Sequence, residues 1–481
     1  MLRLDAVDIA WRSHWLRQAL AVSADLALPL DGEIRADVCI AGGGYLGLWT
    51  AIKLKAYAPN LDIVILEKDI CGGGASGRNS GMLLGAWAKF SALSALRGDE
   101  EALRVLGYGQ DAIGGIDAFC RRNGIDCWFD RVGWLWGATC EAQRGAWGDA
   151  LSRLAQHGLV PAPAVRRDEI AALTGSERHI EGVLDESAAT IHPGFLARGL
   201  RRVALAAGIR VFEKTPILSF GRKSPVVIAT PRGRVRARKL VLALNAWSGG
   251  IRELAPAIFN ISSDDAVSKP MPALLAQAGY ARGPLMIDSR VFVSGYRVTR
   301  DGRLNVGVTG GHVGFAGIVD RRFDAPSPRV PDMRQALREG HPALADFELE
   351  SAWSGPIDRT RNGLPLFGRF PGNPDILYGY GFSGNGIGMT FVGGDILTSL
   401  TADRADEWSD CALVRPVTRG FPPEPFRFIG AHLVRSAVRR RDRAEHLGGK
   451  AGPLTAALAG LAPSGVTPSQ ANLGRKKELS Q

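Results

Sequence analysis

The alternation of apolar runs and glycines near the start of the chain predicts a strand–helix–strand unit. Ala36 to Ala41 is an apolar run, the cluster Gly42 to Gly47 follows, and a helical pattern leads to a second apolar run, Ile63 to Leu66. Short apolar runs bounded by glycine are typical of buried strands, and apolar positions with helical spacing predict the helix between them. We therefore predict a βαβ unit between Ala36 and Gly81.

Strand patterns return in the second half of the chain. Lys239 to Leu244 predicts a buried parallel strand, and Asp375 to Tyr380 predicts another, followed by a glycine-rich loop and a helix ending near Leu400. Arg290 to Val298 and Leu304 to Thr309 alternate on both sides of an Asp-Gly turn, which is a strong hairpin signal. The chain thus combines parallel and antiparallel sheet.

The glycine cluster has the spacing of a dinucleotide site. Gly42 permits a tight turn out of the strand, Gly44 lets backbone approach a pyrophosphate, and Gly47 lets the helix pack closely on the sheet. The helix N-terminus then faces the phosphates with its unpaired N–H groups. Glu67, at the end of the second strand, can accept both hydroxyls of an adenosine ribose. The alternative is a glycine-rich turn between any strand and helix.

A second small-residue loop, Cys71 to Gly81, follows Glu67. It is too rich in glycine for a helix or a regular strand. It can wrap a long cofactor, with Ser76 and Asn79 as neutral hydrogen-bonding partners and Arg78 as a cation for phosphate. A flexible linker is the alternative interpretation.

At these residues the chain resembles a known family. The run Gly-Gly-Gly-Tyr-Leu-Gly-Leu-Trp-Thr-Ala, then Leu-Glu-Lys, then Gly-Ala-Ser-Gly-Arg-Asn-Ser-Gly is similar to the FAD-dependent D-amino-acid-oxidase-like (DAO) superfamily. Within that superfamily it most resembles the γ-glutamylputrescine oxidase and aminophosphonate oxidoreductase-like branch. The resemblance implies FAD and oxidation of a C–N bond.

The resemblance also implies an architecture, α/β plus α+β. A discontinuous Rossmann-like FAD-binding domain takes residues 36–115, 190–260 and 345–403, and an inserted antiparallel-sheet substrate domain takes 116–189 and 261–344. Residues 1–35 are a lead-in, and 404–481 are a basic C-terminal extension that we predict to be partly disordered.

Three separated stretches supply the implied FAD contacts. They are Gly42, Gly44, Tyr45, Leu46, Gly47, Glu67, Lys68, Ala75, Ser76, Arg78, Asn79, Ser80, Gly81, Ile217, Ala243, Trp247, Gly381, Ser383, Gly384, Asn385, Gly386 and Ile387. The helix after the last stretch is expected to face the pyrimidine end of the flavin, where negative charge develops on reduction. No cysteine or histidine stands near these motifs at the positions where relatives attach flavin, so we predict non-covalent FAD.

Two departures from the family pattern bear on the electron acceptor. Asn385 stands where the family usually has histidine, and Gly388 stands where sarcosine-oxidase relatives have lysine. The acceptor is therefore either dioxygen or another, unidentified compound. Ser268-Lys269-Pro270 replaces the family's Thr-Glu-Pro, which leaves the substrate class open.

Four residues are candidates for the substrate pocket: Lys89, His192, Arg297 and Asn385. Lys89 follows the cofactor loop and suits an anionic substrate such as an aminophosphonate, with a solvated lysine as the alternative. His192 precedes a helix, where histidines more often cap or pack. Arg297 and Tyr296 point to opposite faces of a strand, so at most one of them faces the pocket. No catalytic base is assigned, because hydride transfer from a neutral amine requires none.

Composition narrows the remaining possibilities. A net charge of +11 permits nucleic acid as a partner, but no ribonucleoprotein motif accompanies it and much of the excess lies near the C-terminus. An FAD-dependent tRNA-modifying enzyme and a flavin-binding protein without turnover are the rival functions. Six sparse cysteines and the absence of an apolar segment of about 20 residues predict a cytoplasmic protein without a membrane span. The oligomeric state does not follow from the sequence.

Overall fold

Two eight-stranded sheets form the framework of the protein in the computed structural model, which describes residues 9–23 and 25–463. In chain order the strands are β1 (Gly32–Ala41), β2 (Ile63–Leu66), β3 (Met82–Leu83), β4 (Trp134–Ala138), β5 (Ala164–Val165), β6 (Glu181–Asp185), β7 (Ala189–Thr190), β8 (Arg210–Phe212), β9 (Ser219–Phe220), β10 (Val226–Thr230), β11 (Gly233–Leu242), β12 (Ile258–Ser268), β13 (Leu285–Asp288), β14 (Ser294–Val298), β15 (Leu304–Val308), β16 (Leu349–Thr360), β17 (Leu366–Phe370) and β18 (Asn373–Tyr380).

Twelve α-helices connect and cover the strands within the described residues. They are α1 (His14–Val22), α2 (Tyr45–Tyr57), α3 (Phe90–Arg97), α4 (Asp99–Arg122), α5 (Gly148–Ala155), α6 (Arg167–Thr174), α7 (Pro193–Ala206), α8 (Pro272–Gln277), α9 (Val330–Gly340), α10 (Ile387–Thr401), α11 (Phe426–His446) and α12 (Pro453–Ala459).

The first sheet has the strand order β17-β18-β11-β1-β2-β8, with β10 and β9 paired beside β11. Its central strands are parallel, and Ala41 at the end of β1 pairs with Leu242 at the end of β11. α2 and α10 pack over one face through Leu46, Trp49 and Ile396. The predicted Rossmann-like unit is confirmed: β1, α2 and β2 form a βαβ crossover whose strand ends meet at one edge.

The second sheet is mostly antiparallel, with the order β16-β12-β15-β14-β13-β4-β6-β5. The predicted hairpin is confirmed, because β14 and β15 pair on both sides of the turn at Arg300–Arg303. One face of this sheet is covered by α9 through Met333 and Leu337. The other face is turned toward the first sheet.

One predicted boundary differs from the structure. β16 lies inside the stretch 345–403 assigned to the FAD domain, yet it pairs along its length with β12 in the second sheet. β12 itself begins at Ile258, two positions before the predicted boundary at 260. The two strands lie about ninety residues apart, and the periodicity of neither strand indicates its pairing partner.

The C-terminal extension packs on the second sheet's side of the molecule. Arg435 and Arg439 of α11 donate to the carbonyl oxygens of Gly311 and Gly310, and α11 packs against α12. The predicted disordered tail falls largely on residues 464–481, which lie outside the described residues. No helix within residues 9–23 and 25–463 is long and apolar enough to cross a membrane.

Candidate active site

A cavity of about 1640 Å³ lies between the two sheets. Its walls are formed by the ends of β1, β2 and β11, by the loop 74–80, and by residues of β12, β14 and β15 on one face of the second sheet. Pockets for ordinary small ligands measure roughly 300–1,000 Å³. This cavity is large enough for a dinucleotide together with a small substrate.

The glycines of the first motif stand where a side chain would be too close to neighbouring atoms. Gly42 has φ +108°, and a β-carbon there would collide with the carbonyl of Ala243. A β-carbon at Gly44 would lie 2.9 Å from Ser76 Oγ, and one at Gly47 would collide with the Gly42 carbonyl. Larger residues would therefore close the cavity wall or push α2 off the sheet.

Two helices begin at the cavity without a side-chain cap. Gly44 is the N-cap of α2 and Gly386 is the N-cap of α10, and both line the cavity. The N–H groups and the positive dipole end of a helix attract negative charge. The two ends thus offer two places for anionic or electron-rich groups, one for a pyrophosphate and one for the far end of a long ligand.

Glu67 lines the cavity and is held by two backbone N–H groups. Its Oε2 accepts from the Gly43 N–H at 2.7 Å and its Oε1 from the Asp69 N–H at 2.9 Å, and the residue lines the cavity. Burial raises the pKa of Glu67 to about 6. Each carboxylate oxygen keeps a second acceptor site, so ribose hydroxyls can bind the fixed carboxylate.

In the loop 74–80 the side chains bond mainly to protein. Ser76 Oγ accepts from the Tyr45 N–H at 2.8 Å, and Asn79 bonds to the Ser76 carbonyl and the Gly81 N–H. The guanidinium of Arg78 donates to the carbonyl oxygens of Gly73, Ser354 and Trp11. The expectation that Arg78 serves as a cation for phosphate is therefore not supported, because its donors hold the loop to the second sheet.

Most of the predicted cofactor residues line this one cavity. They are Gly42, Gly44, Tyr45, Leu46, Glu67, Lys68, Ala75, Ser76, Arg78, Asn79, Ser80, Ile217, Ala243, Trp247, Gly384, Gly386 and Ile387. Gly47, Gly81, Gly381, Ser383 and Asn385 lie behind the lining residues. Ser383, for example, is buried and accepts from the Thr360 N–H through its hydroxyl. These five residues do not line the large cavity.

Of the substrate candidates, His192 has a capping role. Its Nδ1 accepts from the Phe195 N–H at 3.0 Å at the start of α7, and its Nε2 lies 2.9 Å from Gln18 Oε1. Burial lowers the pKa of His192 to about 3. It does not line the cavity, and both ring nitrogens are occupied, so a catalytic role is not supported.

The other three candidates also lie outside the large cavity. Arg297 is buried and donates to the carbonyl oxygens of Ser80 and Ile191. Its neighbour Tyr296 packs on the opposite side of the sheet. Lys89 and Asn385 line a separate small cavity of about 20 Å³, and burial, together with nearby Arg359, lowers the pKa of Lys89 to about 7.

Sequence reasoning missed two buried carboxyls that line the large cavity. Asp265 on β12 and Asp358 on β16 are 2% and 1% exposed, and burial raises the pKa of each to about 7. Asp358 accepts from the Gly381 N–H and so holds the loop that precedes α10. The only sequence signal is a pair of aspartates, Asp264 and Asp265, in an otherwise strand-like run.

The residues present fit FAD. Gly42 and Gly44, which have no side chains, lie at the start of α2 and leave the backbone accessible to a pyrophosphate. Glu67 can accept hydrogen bonds from a ribose, and Ile217 and Phe220 form an apolar part of the wall. A second uncapped helix start, at Gly386, lines the same cavity. No group of side chains within the described residues has the makings of a metal site.

Comparison with known proteins identifies the family. The family model described as DAO, FAD dependent oxidoreductase, matches residues 37–400. Gamma-glutamylputrescine oxidoreductase of Escherichia coli (strain K12) is 29% identical over 399 residues, which cover 81% of this chain and 89% of that protein. Glycine oxidase of Geobacillus kaustophilus is 27% identical and covers 76% and 93% of the two chains.

Solved structures share the fold. The crystal structure of glycine oxidase from Geobacillus kaustophilus superposes with a TM-score of 0.67 at 22% identity and covers 81% of this chain and all of that one. L-amino acid deaminase from Proteus myxofaciens gives a TM-score of 0.64 at 13% identity, with 81% and 95% coverage. The match spans both sheets and the cavity between them, and the chain belongs to the DAO family of FAD-dependent oxidoreductases.

Proposed function

We propose that the protein oxidises the C–N bond of a small amine or amino acid to an imine, which water then hydrolyses to a carbonyl compound. The observation that carries this proposal is the position of the cavity, which joins the dinucleotide cradle of the first sheet to the face of the second sheet. The named relatives, an oxidoreductase of γ-glutamylputrescine and oxidases of glycine, act on amino compounds, and this chain matches most of their length.

When bound, FAD supplies the acceptor for a hydride from the carbon that bears the nitrogen. The protein's part is positioning, electrostatics and exclusion of water. Gly295 and Gly307 line the cavity with backbone alone, and Ile287 and Val293 add apolar side chains to the same wall. The start of α10 offers N–H donors where negative charge would develop, and Asp358 fixes the loop before it.

The second substrate is the electron acceptor. Gly388 is buried, and a β-carbon there would lie 3.4 Å from Leu83 Cδ1, so this position presents no cation to the cavity. With Asn385 outside the large cavity as well, the two departures from the family pattern favour an acceptor other than dioxygen.

The decisive experiment is anaerobic reduction of the bound flavin by a panel of amines and amino acids. We expect loss of the absorbance near 450 nm with at least one member of the panel and release of a carbonyl product and an amine or ammonia. Oxygen uptake and reduction of an artificial dye are then compared, and dye reduction is expected to be faster. A flavin that no member bleaches would contradict the proposed function.

A further inference from the structure

Asp265 lies on a bare part of the second sheet that faces the cavity. It pairs with Gly307 on β15, and Gly307 pairs with Gly295 on β14. Residues directly opposite one another in a sheet project to the same face. The aspartate therefore stands beside two positions without side chains, and all three residues line the cavity.

One oxygen of this carboxyl is bound and the other is open. Oδ1 accepts from Ser80 Oγ at 2.6 Å and from Asn305 Nδ2 at 3.2 Å. Oδ2 accepts no hydrogen bond from the described residues, and it is not among the side-chain atoms that are sealed from solvent without a partner. The open oxygen is therefore reached from the cavity.

Asp265 also lacks an ion-pair partner within the described part of the chain, whereas its neighbour Asp264 has one. Asp264, on the opposite face, pairs with Arg329 at 3.2 Å. The positive charge of Arg297 lowers the pKa of Asp265. The guanidinium of Arg297, however, donates its hydrogen bonds to the carbonyl oxygens of Ser80 and Ile191. A buried carboxylate is costly without a counter-ion in direct contact, and a ligand cation at the open oxygen would supply that contact.

The rest of this wall offers a ligand anion no cationic side chain. The cavity residues contributed by the second sheet include two acids, Asp265 and Asp358, and no lysine or arginine. Ile287 lies beside Gly295, and Val293 and Ile357 also line the cavity. This is a site for a positive group on a slender apolar chain.

We propose that Asp265 binds the ammonium group of the substrate, and that the substrate class is therefore a cationic alkylamine rather than an amino acid or an aminophosphonate. This inference rests on the proposed function and narrows it. Asp265 accepts a hydrogen bond from the ammonium through Oδ2 and takes its proton before the hydride leaves the carbon, while Ser80 and Asn305 hold the carboxyl in place through Oδ1.

Protonation of Asp265 gives the binding a pH dependence. Burial raises the pKa of Asp265 to about 7, and the charged groups that act on it are Arg297 of β14 and Asp264 of its own strand. The carboxylate form prevails above pH 7, while an alkylamine stays cationic up to about pH 10. Amine binding should therefore weaken about tenfold per unit as the pH falls below 7.

The test measures the binding of n-butylamine, 1,4-diaminobutane, glycine and butyrate to the FAD-loaded protein. Calorimetry and changes in the flavin spectrum report the binding. We expect the two alkylamines to bind and the two carboxylates to bind weakly or not at all. Asp265→Asn should weaken alkylamine binding about 10- to 100-fold with the FAD:protein ratio unchanged. Asp265→Glu, which keeps the charge, should retain part of the affinity.

Asp346→Asn is the matched control, because it removes the same charge from an exposed carboxylate, 83% exposed at the side chain. Equal alkylamine affinity in Asp265→Asn and the parent would overturn the inference, as would loss of FAD from Asp265→Asn or preferential binding of glycine. If amines reduce the parent flavin but Asp265→Asn binds them normally, the proposed function stands and the inference fails. If no amine reduces the flavin, the proposed function fails, and the calorimetric comparison still decides the role of Asp265.

Discussion

At the scale of single residues, we propose that Glu67 binds the cofactor. Its carboxylate is fixed by two backbone N–H groups and faces the cavity. Glu67→Ala should weaken FAD binding by about 1.5–3 kcal/mol, the range for hydrogen bonds to a charged acceptor. Titration of the apoprotein with FAD, followed by fluorescence quenching, measures this. Glu100→Ala, at an exposed helix position, should bind FAD like the parent, and equal affinity in both variants would remove Glu67 from the site.

Asp358 should make stability depend on pH. Its folded pKa is about 7 against an ordinary 3.8, because burial disfavours the charge. The folded protein therefore holds a proton that the unfolded chain releases, and this contribution to stability is complete below about pH 4 and lost as the pH rises through 7. Asp358→Asn does not titrate, so the variant does not lose this stability as the pH rises. The free energy of unfolding of the variant, relative to that of the parent, should therefore increase from pH 5 to pH 8 by up to about 1.4 kcal/mol per pH unit. Urea unfolding of the apoproteins at both values is the measurement, and a constant difference would refute the assignment.

At the scale of elements, the start of α7 depends on His192. Its ring accepts the Phe195 N–H, and loss of an N-cap costs about 0.5–2 kcal/mol. His192→Ala should lower the free energy of unfolding by that amount, and His192→Asn should recover part of it. Turnover per bound FAD should stay unchanged in both variants. A large fall in turnover with normal stability would restore the histidine to the chemistry.

The start of α10 should tune the flavin. Gly386 has a backbone conformation open to any residue, and a β-carbon there would lie 3.5 Å from Phe382 Cβ. The fold therefore tolerates a side chain at this position in the cavity wall. Gly386→Val should displace the N–H donors from the ring, lower the flavin midpoint potential and slow anaerobic reduction at full FAD occupancy. Gly430→Ala on α11, where nothing lies within 4 Å, is the control. Parent-like values in Gly386→Val would place α10 away from the flavin ring.

At the scale of the whole molecule, the cavity contains no group of the usual kind for covalent attachment of flavin. None of its described lining residues is a cysteine or a histidine. All FAD should therefore pass into the supernatant when the protein is precipitated with acid. Yellow colour that stays with the pellet, measured after resuspension, would show a covalent link.

The features that the sequence predicts best are local ones. The turn at Gly42, the helix after it and Glu67 occupy one continuous stretch, so residue spacing alone sets their geometry. The hairpin of β14 and β15 is equally local, because its turn residues define the pairing.

The features that the sequence does not predict arise from pairing between distant segments. β16 joins the second sheet only because it pairs with β12, and that pairing brings Asp358 to the Gly381 loop. Arg78 and Arg297 look like ligand-binding cations in sequence, but carbonyl groups from remote segments occupy them. From sequence alone, a histidine before a helix, such as His192, can be either a helix cap or a catalytic residue. The residues that contact it in the fold decide between the two.

The order of strands in the first sheet has a consequence for biosynthesis. β1 lies between β2 and β11, and β18 completes the sheet beside β11, so the cofactor cradle combines the beginning of the chain with a segment near residue 386. The ribosome must synthesise the chain to about residue 386 before the first and last segments of the site can meet. Contacts between such distant segments form slowly. The complete cavity therefore forms only after β11 and β18 have been synthesised, and until then the edge of β1 that pairs with β11 stays unpaired.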